Sequence, residues 1–465
     1  MFSLSHSIRR VANNLAANAL GQVMNGIYQI VSIPLFLHYW SKAEYGEWLV
    51  IFSIPSLLWS LEGGLAAIAS NRMTVAGAAG NWSMVNEIFH NVLLAQGVLC
   101  LAVISGTLAL ISTCDLQAWF NFTHISPGEV STVLLLLIWY MVSGFYISLL
   151  RAAYRAAVCE ARGIMVNSVW RLIDFCLIVV GLVSGGDPLV LAQLLLGGAL
   201  ICVAGTYLDV RRHCPLIEFG VSRATRDHAK QIFIDGFPML VGQAAGAFVL
   251  QGYPIIINQA LGASAVVTFA TVRTVSRTIL LFIQVIGYSS SPEVARSYGR
   301  QDWEVYLRLL KIMLASAIIG GLVTLVGLTI GGPLVILLWT GGSVVVSHFT
   351  MLLFSASIAL QGIWGIGGIV LSCSNRHHLF NYLYMTVTLV TLGLAALLLP
   401  YWGFAGVPAT MVIQDLALVI IVAMLCKSKL THLTLSDLRP VLTYGFYRAK
   451  VVEGFERVWK RIGRA

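Results

Sequence analysis

Residues 130–150 read VSTVLLLLIWYMVSGFYISLL, twenty-one consecutive positions without one charged side chain. At about 1.5 Å per helical residue such a run reaches roughly 30 Å, the thickness of a bilayer's hydrocarbon core. Glu129 closes it at one end and Arg151 at the other. Reading outward with the same window gives twelve apolar stretches: 14–37, 48–69, 87–112, 130–150, 164–184, 188–208, 231–257, 264–290, 305–330, 346–372, 380–399 and 403–426. The segment Gly332 to Gly342, GPLVILLWTGG, is apolar but too short to span, and reads as an interfacial or re-entrant turn.

Composition agrees. Hydrophobic residues make up 58% of the 465 and charged residues 11%, where water-soluble domains carry about 25% charged. The expected fold is an all-α polytopic membrane protein of about twelve transmembrane helices. The net charge of +9 is therefore no sign of a nucleic-acid partner, since membrane proteins collect Lys and Arg in cytoplasmic loops. Alternate loops show that bias. One side holds Arg9, Arg10, Arg72, Arg151, Arg155, Arg162, Arg211, Arg212, Arg223, Arg226, Lys230, Arg296, Arg300, Arg376 and the basic tail, while the other holds Lys42. Both termini are thus expected in the cytoplasm. Trp40, Trp48, Trp119, Trp339 and Trp402 fall at the opposite helix ends and read as an interfacial aromatic belt. Arg9 and Arg10 precede an apolar stretch too long for a signal peptide, so it is expected to stay as the first span. None of the eight cysteines forms a C-x-x-C pair.

The longest polar interruption divides the chain. The expected organisation is a cytoplasmic N-terminus (1–13), a lobe of helices one to six (14–208), a cytoplasmic linker (209–230), a second six-helix lobe (231–426) and a basic amphipathic tail (427–465). The halves echo each other weakly. Gly21-Gln22 and Gly242-Gln243 lie 221 residues apart, as do Trp82 and Trp303, while Pro188 and Pro408 lie 220 apart. A tandem pair of helical bundles is a known transporter plan.

Enzymatic signatures are missing from the sequence. It contains no phosphate-binding G-x-x-x-x-G-K-[ST], no H-E-x-x-H and no D-x-D. No external loop is long enough for the catalytic loop of a membrane polymerase, ligase or glycosyltransferase. Neither a cofactor nor a metal is expected.

The informative residues are the charges inside spans, which are costly in hydrocarbon and mark cavities or partners. Helix eight carries Arg273 and Arg277, with Gln284 on the same face at 100° per residue. Two like charges so placed repel. They fit either a positively charged aqueous cavity or two separate pairings with acids on other helices. An arginine fork grips phosphate oxygens bidentately, so a cavity of that kind suits a phosphorylated anion. Arg171 and Asp174 share a face of helix five, as a static pair or as part of a site. Glu62 sits in helix two and Asp415 beside Gln414 in helix twelve. Asn14, Asn18, Gln22, Asn25 and Gln29 draw a polar stripe along helix one, and Gln243 marks helix seven. Helix-to-helix hydrogen bonding and the lining of a polar path explain that stripe equally well.

One resemblance ties these residues together. The sequence reads Asn14, then Pro34-Leu-Phe-Leu, Glu44-Tyr-Gly-Glu-Trp48, Gly63-Gly64 and Asn71-Arg72. Later come Leu338-Trp-Thr-Gly341, Gln361-Gly362 and Gly403-Phe-Ala-Gly-Val-Pro408-Ala. This resembles the Wzx-type polysaccharide flippases of the MOP superfamily. The resemblance implies a V-shaped pair of six-helix lobes in the bacterial inner membrane. It implies movement of undecaprenyl-pyrophosphate-linked oligosaccharide to the outer leaflet, in contact with membrane lipids and with polysaccharide polymerase or assembly proteins. Cationic cavity residues of that family correspond in kind to Arg72, Arg171, Arg273 and Arg277. Coupling to H⁺ or Na⁺ would fall to Glu62, Asp174 or Asp415. Two alternatives stay open: a drug/cation antiporter of the related multidrug-extrusion type, and an integral-membrane polymerase or glycosyltransferase.

Overall fold

The computed structural model describes Gly26 and residues 28–429 apart from 158 and 375, all of them in helices, turns or connecting loops. The tail beyond 429, Asn14, Asn18, Gln22 and Asn25 lie outside the described residues. In chain order come α1 (28–39), α2 (Lys42–Ala78), α3 (Trp82–Thr113), the short α4 (Leu116–Phe120), α5 (Pro127–Ala156), α6 (Glu160–Val183) and α7 (Pro188–His213). Then α8 (Arg226–Ala247) runs through a π turn (Phe248–Gly252) into α9 (Tyr253–Leu261). The remainder is α10 (Ala263–Gly299), α11 (Trp303–Trp339), α12 (His348–Cys373), α13 (His378–Trp402) and α14 (Gly406–Lys429). Among the described residues, eight helical segments are long and apolar enough to cross a membrane. One of them, His378–Lys427, is too long for a single crossing and holds both α13 and α14, joined by the 3₁₀ turn Gly403–Ala405. The protein is an all-helical, multi-pass membrane protein.

Helix starts follow local chemistry. Side-chain oxygens of Ser41, Asn81, Asp187 and Ser347 accept the otherwise orphaned N–H groups of Glu44, Met84, Val190 and Thr350. Pro127 and Pro188 occupy first-turn positions, where the missing N–H costs nothing.

Two compact units emerge from the packing. Among the described residues, the first comprises those up to 274 with 336–345 and 392–404. Within it α2 packs along α5 and α8, and α7 packs on both α5 and α6. The Glu44-Tyr-Gly-Glu-Trp48 motif is tightly packed within it. Tyr45 stacks on Phe36 with ring centroids 4.6 Å apart, and Trp48 adjoins the same ring. Gly46 lies so close to the Ala263 carbonyl that a β-carbon would collide with backbone. Glu47, 1% exposed, turns its carboxylate under the 121–125 loop. It accepts the backbone N–H groups of Thr123 at 2.6 Å, His124 at 3.0 Å and Ile125 at 2.9 Å. On another face of the unit, the segment 216–225 is strapped to α3. Asn86 bonds Leu216 O and Glu218 N, His90 bonds Glu218 O and Arg223 N, and Asn91 accepts from Thr225 N.

Among the described residues, the second unit comprises 275–335, 346–391 and 405–429. Its α12 packs on α14, with Gly367 set directly against Val422. Gly321 lies beside Ala359, where a β-carbon would stand 3.1 Å from the alanine's own. Small residues at such crossings let membrane helices approach closely. Tyr306, Met313, Ile366 and Val370 form the apolar centre.

Two expectations need correction. Residues 332–339 are no turn: they are the last two turns of α11, which runs unbroken through Pro333. Gly332, read as a boundary, is a packing site for Met351. Trp40 and Trp48 are not belt residues either. Both are buried, and the Trp40 indole donates to Gly186 O at 3.1 Å. Trp119 and Trp402 do stand exposed.

Candidate functional site

Two adjoining cavities open inside the first unit. One, of about 190 Å³, is lined by Tyr28, Trp59, Tyr140, Asn167, Trp170, Arg171 and Asp174. The other, of about 180 Å³, shares Tyr28, Tyr140 and Asp174 and adds an aromatic wall of Phe36, Tyr45, Trp48 and Phe52, with Arg273 and Thr274 at α10. Rings, an ionisable pair and a few placed polar groups make up the usual lining of a small-molecule pocket.

Helical spacing on α6 explains how Asp174 arrives there. Asn167, Trp170, Arg171 and Asp174 recur at three and four residues and so share one face, and all four line the same cavity. Asp174 is 9% exposed. Its Oδ2 accepts from the Tyr140 hydroxyl at 2.8 Å, across from α5. Its Oδ1 is buried with no hydrogen-bond partner among the described residues, and so is the Trp170 indole N–H. That indole is a near neighbour of the carboxyl but falls short of hydrogen-bond geometry with it. Nearby, Asn167 Oδ1 accepts from Arg151 at 3.2 Å.

Arg273 is set by its backbone neighbours. Its guanidinium donates to Leu250 O, inside the π turn. The Phe269 ring lies 5.2 Å from Cζ, in cation–π range. Leu250 lies within the π turn, where the regular i→i+4 pattern is interrupted.

The fold thus gathers Arg171, Asp174 and Arg273 around one pair of cavities. Arg277, one turn beyond Arg273, is exposed and belongs to the second unit. Arg72 is half-buried in α2 and lines neither cavity. Gln243 is exposed on α8. Gln284 is half-buried, its amide facing Gly365. Glu62 lies in α2, its side chain outside the described residues. Asp415 belongs to the second unit and is fully engaged. Ser357 Oγ donates to it at 2.5 Å and Trp364 Nε1 at 2.8 Å, while neighbouring Gln414 accepts from Thr391 at 2.9 Å.

Sequence reasoning passed over Tyr28, Tyr140 and Trp170. A weak signal existed for two of them. Trp170 stands one helical turn before an intramembrane aspartate, and Tyr140 puts a hydroxyl in the middle of an uncharged span.

No family model matches the sequence, and no curated protein matches it. Solved structures do share the fold. An inward-facing multidrug resistance MATE family transporter of the MOP superfamily superposes with a TM-score of 0.70 at 15% identity, covering 91% of this chain and 98% of that one. The MATE multidrug transporter DinF-BH gives 0.66 at 15% identity over 90% of this chain and 95% of its own. The lipid II flippase MurJ, in an inward closed conformation, gives 0.63 at 12% identity, covering 92% and 89%. At these identities the likeness is one of fold, and that fold is the one found in MOP-superfamily transporters.

Proposed function

We propose that the chain is a flippase for undecaprenyl-pyrophosphate-linked oligosaccharide in the bacterial inner membrane, working by alternating access with both termini in the cytoplasm. The observation that carries this reading is Arg273, an intramembrane arginine held in place by Leu250 O and the Phe269 ring at the wall of a cavity. A positioned guanidinium suits a phosphate oxygen. Family resemblance of the sequence and the fold shared with a lipid II flippase support it. In this reading the two six-helix lobes are 14–208 and 231–426, Arg72, Arg171 and Arg277 are further cationic contacts, and Asp174 is the carrier of coupled H⁺ or Na⁺. Surface-polymer assembly proteins would take up the product.

A drug/cation antiporter is the second reading, favoured by Asp174, an acid in the wall of both cavities, and by the multidrug transporters that share the fold. Gene deletion separates the two. A strain lacking a flippase accumulates lipid-linked glycan on the cytoplasmic leaflet and loses its surface polymer. Intact surface polymer with raised sensitivity to cationic drugs would establish the antiporter instead. Complementation with Arg273→Ala should cut surface polymer about tenfold or more at normal membrane abundance. Arg273→Lys should fall between, keeping the charge but losing the fork. Normal polymer in the alanine variant would remove Arg273 from the cargo site.

A further inference from the structure

The polar face of α6 reaches further than the cavity it lines. Glu160, Asn167, Arg171 and Asp174 are spaced seven, four and three residues apart. At 100° per residue they fall within about 60° of one another and form one stripe. The stripe starts at the α5–α6 turn and runs about 21 Å along the helix to Asp174. The end of α5 faces it. Arg155 and Arg151, one turn apart, meet the stripe in two rungs. Arg155 Nε donates to Glu160 at 2.8 Å, and Arg151 donates to Asn167 Oδ1 at 3.2 Å.

The two rungs differ in charge. Arg155 meets an acid, and its guanidinium also donates to Ser70 Oγ at 3.1 Å. Arg151 meets a neutral amide, and that amide lines the cavity of about 190 Å³ together with Arg171. Asn167 thus stands between two guanidiniums, one bonded to it from α5 and one a turn further along α6. Arg151 and Arg171 are exposed, whereas Asp174 is buried. The mouth of the cavity therefore lies on the arginine side and its floor at Asp174. A guanidinium fork matches the oxygens of a phosphate, and two forks suit two linked phosphates. The Asp174 carboxyl opposes the descent of an anion to the floor, which keeps such a group at the mouth.

We propose that Arg151, Asn167 and Arg171 form a phosphate-binding station at the mouth of this cavity, where a lipid-borne pyrophosphate is held before it reaches Arg273 in the adjoining one. That the phosphates belong to a cargo lipid rests on the flippase reading; the placement of the two arginines does not. Arg151 is the addition to the site. In the sequence it marks only the end of an uncharged span.

The test uses the full-length chain in phosphatidylcholine nanodiscs, with thermal unfolding as the readout. Undecaprenyl pyrophosphate is the probe. It is set against undecaprenol, which has the tail without phosphates, and phosphatidylglycerol, which carries its phosphate on a bilayer lipid. The pyrophosphate lipid should raise the unfolding temperature saturably, and undecaprenol should not. Arg151→Gln and Arg171→Gln should each weaken that response about tenfold or more, the range of one charge-assisted hydrogen bond, with Arg151→Lys in between. Arg155→Gln should leave the response unchanged. Asn167→Asp covers the case in which the arginine variants fold poorly. A carboxylate there binds Arg151 more strongly than the amide does, so a purely structural rung would keep or gain stability and keep the probe. A phosphate station would keep its stability and lose the probe. The proposal is overturned if the pyrophosphate lipid does not protect the wild type, if Arg151→Gln and Asn167→Asp respond as the wild type does, or if phosphatidylglycerol protects equally well. Surface polymer in the deletion strain reports on the flippase reading independently. Lost polymer with an unchanged response in both variants sinks the station alone. Intact polymer with a response that needs Arg151 sinks the flippase alone.

Discussion

Asp174 and Asp415 are both aspartates buried in apolar helices, one in each compact unit, and they are engaged very differently. Asp415, 4% exposed, has one oxygen on Ser357 and the other on Trp364. Asp174 has one oxygen on Tyr140, while the other is buried beside the Trp170 indole with no well-formed hydrogen bond among the described residues. A carboxyl whose acceptors are filled by protein groups ties helices together. One with a poorly filled acceptor ties them less tightly. Burial alone does not separate the two; the accounting of hydrogen bonds does.

That contrast can be broken most sharply by truncation. Asp415→Ala strands the Trp364 donor and frees Ser357, and should cost about 2–4 kcal/mol. Asp174→Ala loses one bond and should cost less, about 1–2 kcal/mol. Unfolding of the purified variants in nanodiscs gives the order. Equal losses would mean that Asp174 is as structural as Asp415. Next in size is a control outside the spans. Glu47→Gln turns half of its acceptor into an amide donor facing backbone N–H groups. It should lower stability by about 1–3 kcal/mol and raise protease cleavage around 121–125, without a selective effect on any ligand. The smallest effect is expected at Tyr140→Phe, about 0.5–1.5 kcal/mol for one hydrogen bond. It removes the one well-formed hydrogen bond to Asp174 while keeping the ring in place. The corresponding change on the other side, Ser357→Ala, should touch stability alone.

The sequence made the helices legible because twenty-odd apolar residues have few other fates. It also placed Arg171 and Asp174 on one face, since that needs only the 3.6-residue period. It could not supply Tyr140, which sits 34 residues from Asp174 and meets it through the packing of α5 on α6. Glu47 shows the same limit. Its position inside a conspicuous motif was visible, while its partners, Thr123 to Ile125, lie more than seventy residues away. Hydropathy windows erred at Gly332 because they treat glycine as an end, whereas in a membrane bundle it is often a contact. They erred at Trp40 and Trp48 because a residue's distance along a span says nothing about its direction. Arg273 was identified as a candidate, yet the carbonyl that orients it depends on a local break in helical pattern that the sequence around Leu250 does not announce.

That break has a bearing on how the chain tolerates changes in its length. A π turn is what an α-helix makes of one surplus residue. Removing a single residue between Phe248 and Gly252 would let the helix close up into regular α form, and because the wide turn had absorbed that residue, α9 would keep its phase. Asn258 would stay on the Phe120 carbonyl it reaches at 2.6 Å, while the Leu250 carbonyl that anchors Arg273 would be redrawn. The surplus residue is thus a tolerance in the gene's spelling: a codon lost in this stretch is absorbed, whereas one lost within α9 would turn all that follows by about 100°.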